Sequence, residues 1–409
     1  MKVQNEAIPE DWKLKKIGDL ATVTAGGTPS TKNKNYWGGE IPWMNSGEIN
    51  LKRIKNVEGR ITDEGLKNSS TKLIPIKSIL MALAGQGKTR GKVAINEIKL
   101  CTNQSLAAIF NLKNINTEFL FQNLDSRYNE IRKMSTGDNG RGGLNLKIIK
   151  NIKVPLPPLP EQQKIADILS TVDEKIAVID QQITATEELK KGLMQRLLTK
   201  GIGHTEFKDS PLGKIPKSWE VKKISEIADF RNGKGHEKII DENGDYIVVN
   251  SKFISSDGKV IKKSNQNLSP LNKGDIAMVM SDVPNGKALS KCYLVDENDL
   301  YTLNQRICLI KAKDMINNYF LYLSVNRNRY FLAFDNGVGQ TNLKKSEVLD
   351  CLVKLPSMKE QKEITEILND VNTKLQTQKD KKQAYQQLKK GLMQQLLTGK
   401  IRVNNLIED

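Results

Sequence analysis

Two kinds of hydrophobic pattern alternate along this chain. Short apolar runs, such as Ser78-Ile79-Leu80-Met81-Ala82-Leu83, Lys92-Val93-Ala94-Ile95, Tyr246-Ile247-Val248-Val249 and Ile276-Ala277-Met278-Val279-Met280, are bounded by Gly, Asn, Asp and Pro and read as β-strands. Two long stretches instead space their apolar residues by three and four. In the first, Ile165, Leu169, Val172, Ile176, Ile179 and Ile183 form a heptad seam. In the second, Ile364, Leu368, Val371 and Leu375 repeat that seam before it turns polar at Gln378 and Lys382. Each stretch predicts a helix of roughly 40 residues, about 60 Å long at 1.5 Å per residue. Shorter helices are predicted over 117–131 and 317–331. The globular parts read as mixed α+β with an antiparallel sheet.

The long stretches belong to an internal repeat. Residues 156–202 align with 355–401 at a constant offset, most closely where Leu189-Lys190-Lys191-Gly192-Leu193-Met194-Gln195 meets Leu388-Lys389-Lys390-Gly391-Leu392-Met393-Gln394. Ile8-Pro9 and Trp12 return as Ile215-Pro216 and Trp219, Asn45-Ser46 as Asn250-Ser251, Asn103-Gln104 as Asn304-Gln305, and Asn145-Leu146-Lys147 as Asn342-Leu343-Lys344. Between these anchors the copies diverge. The chain is therefore a variable globular part followed by a helix, written twice: 1–158, 159–202, 203–355 and 356–409.

An apolar seam of this length needs a partner. The nearest candidate is the other copy of the helix, and a two-fold axis perpendicular to the helices makes the pair antiparallel. Pro157 and Pro356 precede the helices, and Glu161 and Glu360 lie where negative charge suits the helix dipole. Gly192 and Gly391 sit inside the helical pattern at a cost of about 1 kcal/mol each relative to Ala. Close approach of another backbone, or a kink or frayed end, are the two readings of these glycines.

Charge changes the picture next. Lys and Arg number 64 against 47 Asp and Glu, a net charge of +17, which points to a polyanionic partner. The two long helical segments are nearly neutral, so the excess lies in the globular parts. Those become the candidate polyanion readers and the helices become spacers and protein-contact surfaces. The four cysteines are far apart, and the only histidines are His204 and His236, which disfavours disulfide frameworks, thiolate zinc sites and Ser-His-Asp chemistry. No signal segment and no membrane-length apolar run is read, so a cytoplasmic protein without a membrane partner is expected.

Individual motifs refine this picture. Ala82 to Thr89 nearly matches a phosphate loop, but Ala82 replaces its first glycine and the following residues read as a strand. An ATP-dependent enzyme using Lys88 and Thr89 is the weaker alternative. A hairpin presenting Lys88, Arg90 and Lys92 to DNA phosphate accounts for the same residues. Two Gly-rich polar loops, 137–143 and 336–342, have the character of segments that close on DNA. Trp12 and Trp219 read as core anchors, whereas Trp37 and Trp43 lack counterparts and remain open between core and base stacking. The DNA-contact candidates are Thr28, Ser30, Ser46, Lys88, Arg90 and Arg141 in the first copy, and Lys234, His236, Ser251, Lys287 and Thr341 in the second. Asn103-Gln104 and Asn304-Gln305 recur, which favours a structural role.

These residues give the chain a resemblance, over essentially its whole length, to the specificity subunits of type I restriction–modification systems. It is carried by Ile8-Pro9 through Trp12, Gly27-Thr28-Pro29-Ser30, Ile41-Pro42-Trp43, Leu156-Pro157-Pro158-Leu159-Pro160-Glu161-Gln162 and the Leu-Lys-Lys-Gly-Leu-Met-Gln helix ends. The second copy departs in detail, with Leu355-Pro356-Ser357-Met358-Lys359-Glu360-Gln361 and Gly233-Lys234-Gly235, which suits two readers of different sequences. The resemblance implies two target-recognition domains, mixed α/β and mainly β, joined by two long helices in an antiparallel coiled coil. Each domain would read one half of a bipartite, asymmetric site on double-stranded DNA. Two modification (methyltransferase) subunits would dock on this frame and carry the S-adenosylmethionine chemistry of adenine methylation. Restriction/motor subunits would complete an ATP-dependent endonuclease. The chain itself would hold no catalytic residue, cofactor or metal. The runner-up is a stand-alone nucleic-acid-binding coiled-coil scaffold.

Overall fold

A computed structural model of the chain describes residues 8–85, 89–135 and 142–407. The chain forms two compact units: Met1–Gln182 with Lys379–Asp409, and Ile183–Gln378. Each unit takes part of both long helices, which run over Leu159–Lys200 and Met358–Leu396. The units thus cut across the four segments read along the sequence.

Each unit is built on the same plan. In the first, strands Thr22–Ala25, Leu106–Phe110, Ile79–Ala82, Val93–Asn96 and Arg53–Ile54 lie side by side in that order. In the second, Ala228–Asn232, Ile307–Ala312, Ile276–Val279 and Cys292–Leu294 reproduce the first four places. The central strand explains why its sequence is an unbroken apolar run. Ile79 and Met81 face one core cluster while Leu80 and Ala82 face another. Ile276 and Met278, against Ala277 and Val279, divide in the same way. A strand covered on both faces has no polar side to show.

Parallel pairs accompany the expected antiparallel ones: Arg53–Ile54 pairs in parallel with Val93–Asn96 at the edge of the first unit's main sheet, and a smaller sheet in each unit holds another. Trp37–Met44 pairs in parallel with Cys101–Thr102, and Tyr246–Val249 in parallel with Tyr301–Leu303. The recurring Asn-Gln pairs follow these parallel strands directly. Their backbones close the turn: Asn103 N donates to Met44 O and Asn304 N to Val249 O, at 3.0 and 3.1 Å. The short helices are also broken where one was expected. Thr117–Ser126 stops at buried Arg127, whose guanidinium donates to Lys153 O and Glu130. Asn318–Val325 stops before Asn326, whose amide oxygen accepts from Cys292 N.

The heptad seam is buried where it meets its own unit's core: Ile165 and Leu169 in the first unit, Ile364 and Leu368 in the second. Within the first unit the two helices run antiparallel. Asp173 pairs with Lys389 at 2.7 Å and Asp180 with Lys382, so a step of seven up one helix is a step of seven down the other. Both helices continue through Gly192 and Gly391, and at neither glycine does any atom lie within 4 Å of a built Cβ. The frayed end is excluded, and nothing described in this chain approaches either glycine.

Candidate nucleic-acid interface

The globular part of each unit begins and ends on one short antiparallel pair, Lys13–Lys16 with Lys153–Leu156 and Glu220–Lys223 with Leu352–Leu355. The helix then starts at a Glu-Gln pair whose glutamine is buried in both units. Gln162 accepts from Asn116 N and donates to Pro157 O, and Gln361 accepts from Asn317 N and donates to Pro356 O. Glu161 and Glu360 accept from the indoles of Trp12 (3.1 Å) and Trp219 (2.9 Å), which makes both tryptophans core anchors. The recurring Glu-Gln is therefore a bolt between helix and globular part, a use the dipole argument did not reach.

The second partner of each carboxylate comes from the segment following the opposite long helix. Arg402 donates from Nε and Nη2 to Glu161, at 2.7 and 2.8 Å, and makes a second bidentate pair with Asp11. Those hydrogen bonds raise the Arg402 guanidinium further, and Arg402 holds the Asp11 carboxyl below the usual range. In the second unit His204 Nε2 lies 2.8 Å from Glu360 and Ile202 N donates to the same oxygen.

Loops set on this frame hold the DNA-contact candidates. Gly27–Ser30 is clamped by two indoles: Trp43 donates to Gly27 O and Trp37 to Ser30 O, and the rings meet edge to face at 5.0 Å. Both tryptophans thus position the loop that carries Thr28 and Ser30. Ser30 is exposed, whereas the half-buried Thr28 hydroxyl donates to Gln104. Ser46 and Ser251 take matching places, each just after an asparagine, Asn45 or Asn250, whose side chain caps the following turn. Gly26 and Gly233 admit no side chain, since a Cβ would fall 2.2 Å from Thr102 O and 2.1 Å from Asn304 O. Lys234 beside Gly233 is exposed.

Three candidates are corrected. His236 is fully buried; its Nδ1 faces Lys234 O at 2.7 Å and its Nε2 faces Thr302 Oγ1 at 2.8 Å. A neutral ring donating at Nδ1 and accepting at Nε2 satisfies both, so His236 latches its loop and is neither a solvated histidine nor a base reader. Arg90 is buried at 6% exposure and donates to Gly142 O, so its guanidinium ties two loops together instead of facing a phosphate. Thr341 is buried and its hydroxyl lies against Asp335. Lys88 and Arg141 lie outside the described residues. The near phosphate loop is followed by strand Val93–Asn96, antiparallel to Ile79–Ala82, and not by a helix, so a nucleotide site lacks its framework.

The Gly-rich loop read over 336–342 lies beside the segment that carries Lys287. In the second unit, Ser281–Asp282 pairs with Thr341–Asn342, and Leu343 N donates to Met280 O at 2.8 Å. Leu144 N to Leu83 O repeats that closure in the first unit at the same distance. Loops 283–287 and 335–340 therefore stand side by side. Asp282 accepts from Val283 N, Ala288 N and Leu289 N, and Asp335 accepts from Gly337 N, so both acids serve their own loops. Exposed Lys287, Asn285, Asn336, Val283 and Val338 are left at the tips. Sequence reasoning named only Lys287 among these; apolar residues placed in Gly-rich loops were the available signal.

Burial raises the thiols of all four cysteines, that of Cys351 to about 12, which keeps them protonated and unreactive at neutral pH. Among the described residues no helix is long and apolar enough to cross a membrane.

Comparison with known proteins gives a consistent result. Residues 9–188 and 216–387 each match the type I restriction modification DNA specificity domain. The type I restriction enzyme MjaVIII specificity subunit of Methanocaldococcus jannaschii is 26% identical over 413 residues, 98% of this chain and 95% of its own length. The EcoR124I/EcoR124II specificity subunit of Escherichia coli is 28% identical over 186 residues, 44% of this chain and 45% of that one. Among solved structures, a type I restriction-modification system S subunit from M. genitalium has a similar fold, with a TM-score of 0.61 at 16% identity, covering 97% of this chain and 98% of that one.

Proposed function

The chain belongs to the type I restriction modification DNA specificity family, and from that premise we propose that it selects the DNA sequence on which a modification complex acts. Each unit reads one half of a bipartite, asymmetric double-stranded site. The paired long helices set the spacing between halves and dock two modification subunits, which carry the S-adenosylmethionine chemistry; motor subunits add restriction. The chain contributes recognition and no catalytic group.

The observation that carries this reading is the repetition of one plan. Both units close the same strand end with one backbone hydrogen bond, Leu144 N to Leu83 O and Leu343 N to Met280 O, and bolt the globular part to a long helix through the same Trp-Glu contact. Phosphate contacts to a basic surface supply affinity, and base edges supply specificity. Two such readers on a shared frame fit two half-sites on one duplex.

Docking draws support from the outside of the helices. Leu189 and Leu388 occupy matching places in the most similar stretch of the repeat, and both are about half exposed, at 52% and 50%. Each lies three residues from a glycine with open space around it. Identical surface residues, twice, suit one kind of partner bound twice, with the glycines admitting its backbone.

The test is selection of bound duplexes from a randomised pool by the full chain with its modification subunits. Two fixed half-sites at one spacing are expected, with no methyl transfer by the chain alone. A single contiguous motif, or turnover by the chain alone, overturns the proposal.

A further inference from the structure

We propose that the loop pair of the second unit reads an A·T base pair from the major groove, with the Asn285 amide on the adenine edge and the Val338 side chain on the thymine 5-methyl group. The assignment rests on the DNA-specificity reading above and names what one of its surfaces recognises.

Val338 is 86% exposed and Val283 is 62% exposed, more than any other large hydrophobic side chain among the described residues. They stand on the two neighbouring loops, not at scattered surface positions. Val338 is held outward by its own loop: it lies between Gly337 and Gly339, Gly337 N donates to Asp335 and Val338 N donates to Asn336 Oδ1 at 3.0 Å. A loop so braced keeps an apolar side chain in water at a cost that a contact in the bound state can repay.

The neighbouring group decides what that contact is. Asn285 has φ 54°, a left-handed conformation that asparagine tolerates, and it is exposed. A Cβ built on Gly337 would lie 3.4 Å from the Asn285 amide, so the amide sits directly beside the base of Val338. That amide takes no part in the hydrogen bonds that hold either loop. Gln340, by contrast, donates to Ser281 Oγ at 2.6 Å and braces the pair. With Asp282 and Asp335 turned into their own loops, the tips offer one unengaged amide, two valines and the Lys287 ammonium.

An A·T pair matches that set in the major groove. Adenine N7 and N6 present the acceptor and donor that a side-chain amide takes together, and thymine adds a methyl group that favours apolar contact. A G·C pair offers no methyl group, and the minor-groove edge of A·T offers acceptors alone. Lys287 at the same tip suits the flanking phosphate.

The test uses the full chain in complex with its modification subunits and the duplex chosen by selection. Thymines are replaced one at a time by deoxyuridine, which removes only the 5-methyl group. One position in the half-site read by the second unit is expected to weaken wild-type binding about fourfold, the value of one buried methyl group. Val338→Ala is expected to bind the thymine and uracil duplexes alike. Asn285→Ala is expected to lose about tenfold or more of the preference for A·T over G·C at that pair. The other half-site should respond unchanged, which also shows that the variants are folded. The assignment is overturned if no thymine in that half-site is sensitive, or if both variants discriminate as the wild type does. It is likewise overturned if Val338→Ala abolishes a DNA kink in a gel-phasing assay, since the valine would then be a wedge between base steps. Wild-type binding without any sequence preference would remove the specificity reading itself, and this assignment with it.

Discussion

Replacing Arg402 with alanine leaves the Glu161 carboxylate buried with neutral donors alone, the Trp12 indole at 3.1 Å and the Asn404 amide at 3.1 Å. The Glu161 side chain is 1% exposed and that of Arg402 is 28% exposed. Removing one partner of a buried pair costs about 3–5 kcal/mol, and the partial exposure of Arg402 lets water follow into the gap, which places the cost near 3 kcal/mol. The two contacts to Asp11 lie in water and add little. The expected result is an unfolding constant for the first unit raised on the order of 100-fold. Hydrogen exchange of peptides around Trp12 and residues 159–170 measures it while the second unit serves as internal reference. Glu161→Gln in the Arg402→Ala background should recover much of the loss, because a neutral amide leaves no unpaired charge. His204→Ala in the second unit should cost less, since Glu360 keeps the Ile202 N–H and the Trp219 indole. A cost below about 0.5 kcal/mol for Arg402→Ala, or a double variant no better than the single one, refutes the clasp.

Three further outcomes follow from the same structure. Paired four-residue insertions after Ile179 and Lys382 lengthen both helices by about 6 Å, and the spacer tolerated between half-sites should change; an unchanged spacer, read by duplex selection, rejects the helices as the ruler. His236→Ala should destabilise the second unit by about 1–3 kcal/mol in denaturant unfolding, through the orphaned Thr302 hydroxyl and Lys234 carbonyl, without altering base preference. A changed base preference with unchanged stability would return His236 to the reading surface. Leu388→Asp should leave stability within about 0.5 kcal/mol and reduce co-purification with modification subunits; full retention of the partner places docking elsewhere.

The repeat and the long helices were legible because self-similarity and a heptad seam are properties of sequence alone. The central strands were legible for a related reason: burial on both faces writes an unbroken apolar run. The parallel pairings were not, because pairing partners in a sheet are set by tertiary neighbours and not by the strand's own residues. Arg127 shows the same limit for helices, since its break depends on the Lys153 carbonyl far along the chain. Glu161 and Glu360 were noticed as helix-start acids, but their partners Arg402 and His204 sit one step apart in the repeat and have different chemistry. At the candidate interface, polarity and glycine content marked loops but not the roles of the residues in them. They misplaced Arg90, His236 and Thr341, because a polar residue near a loop also serves to hold that loop closed. Val338 carried a signal as an apolar residue in a Gly-rich loop, but Asn285 gave none until the two loops were seen side by side.

Two separable readers are the core of the proposed function. Residues 13–156 and 220–355 begin and end on equivalent strand pairs, so the first segment can be written in place of the second. The measurement is the sequence selected from a randomised duplex pool by that chain with its modification subunits. The expected result is an inverted repeat of the half-site read by the first unit, at the original spacing. A folded chain that still selects the original asymmetric site, or that selects two unlike halves, contradicts it.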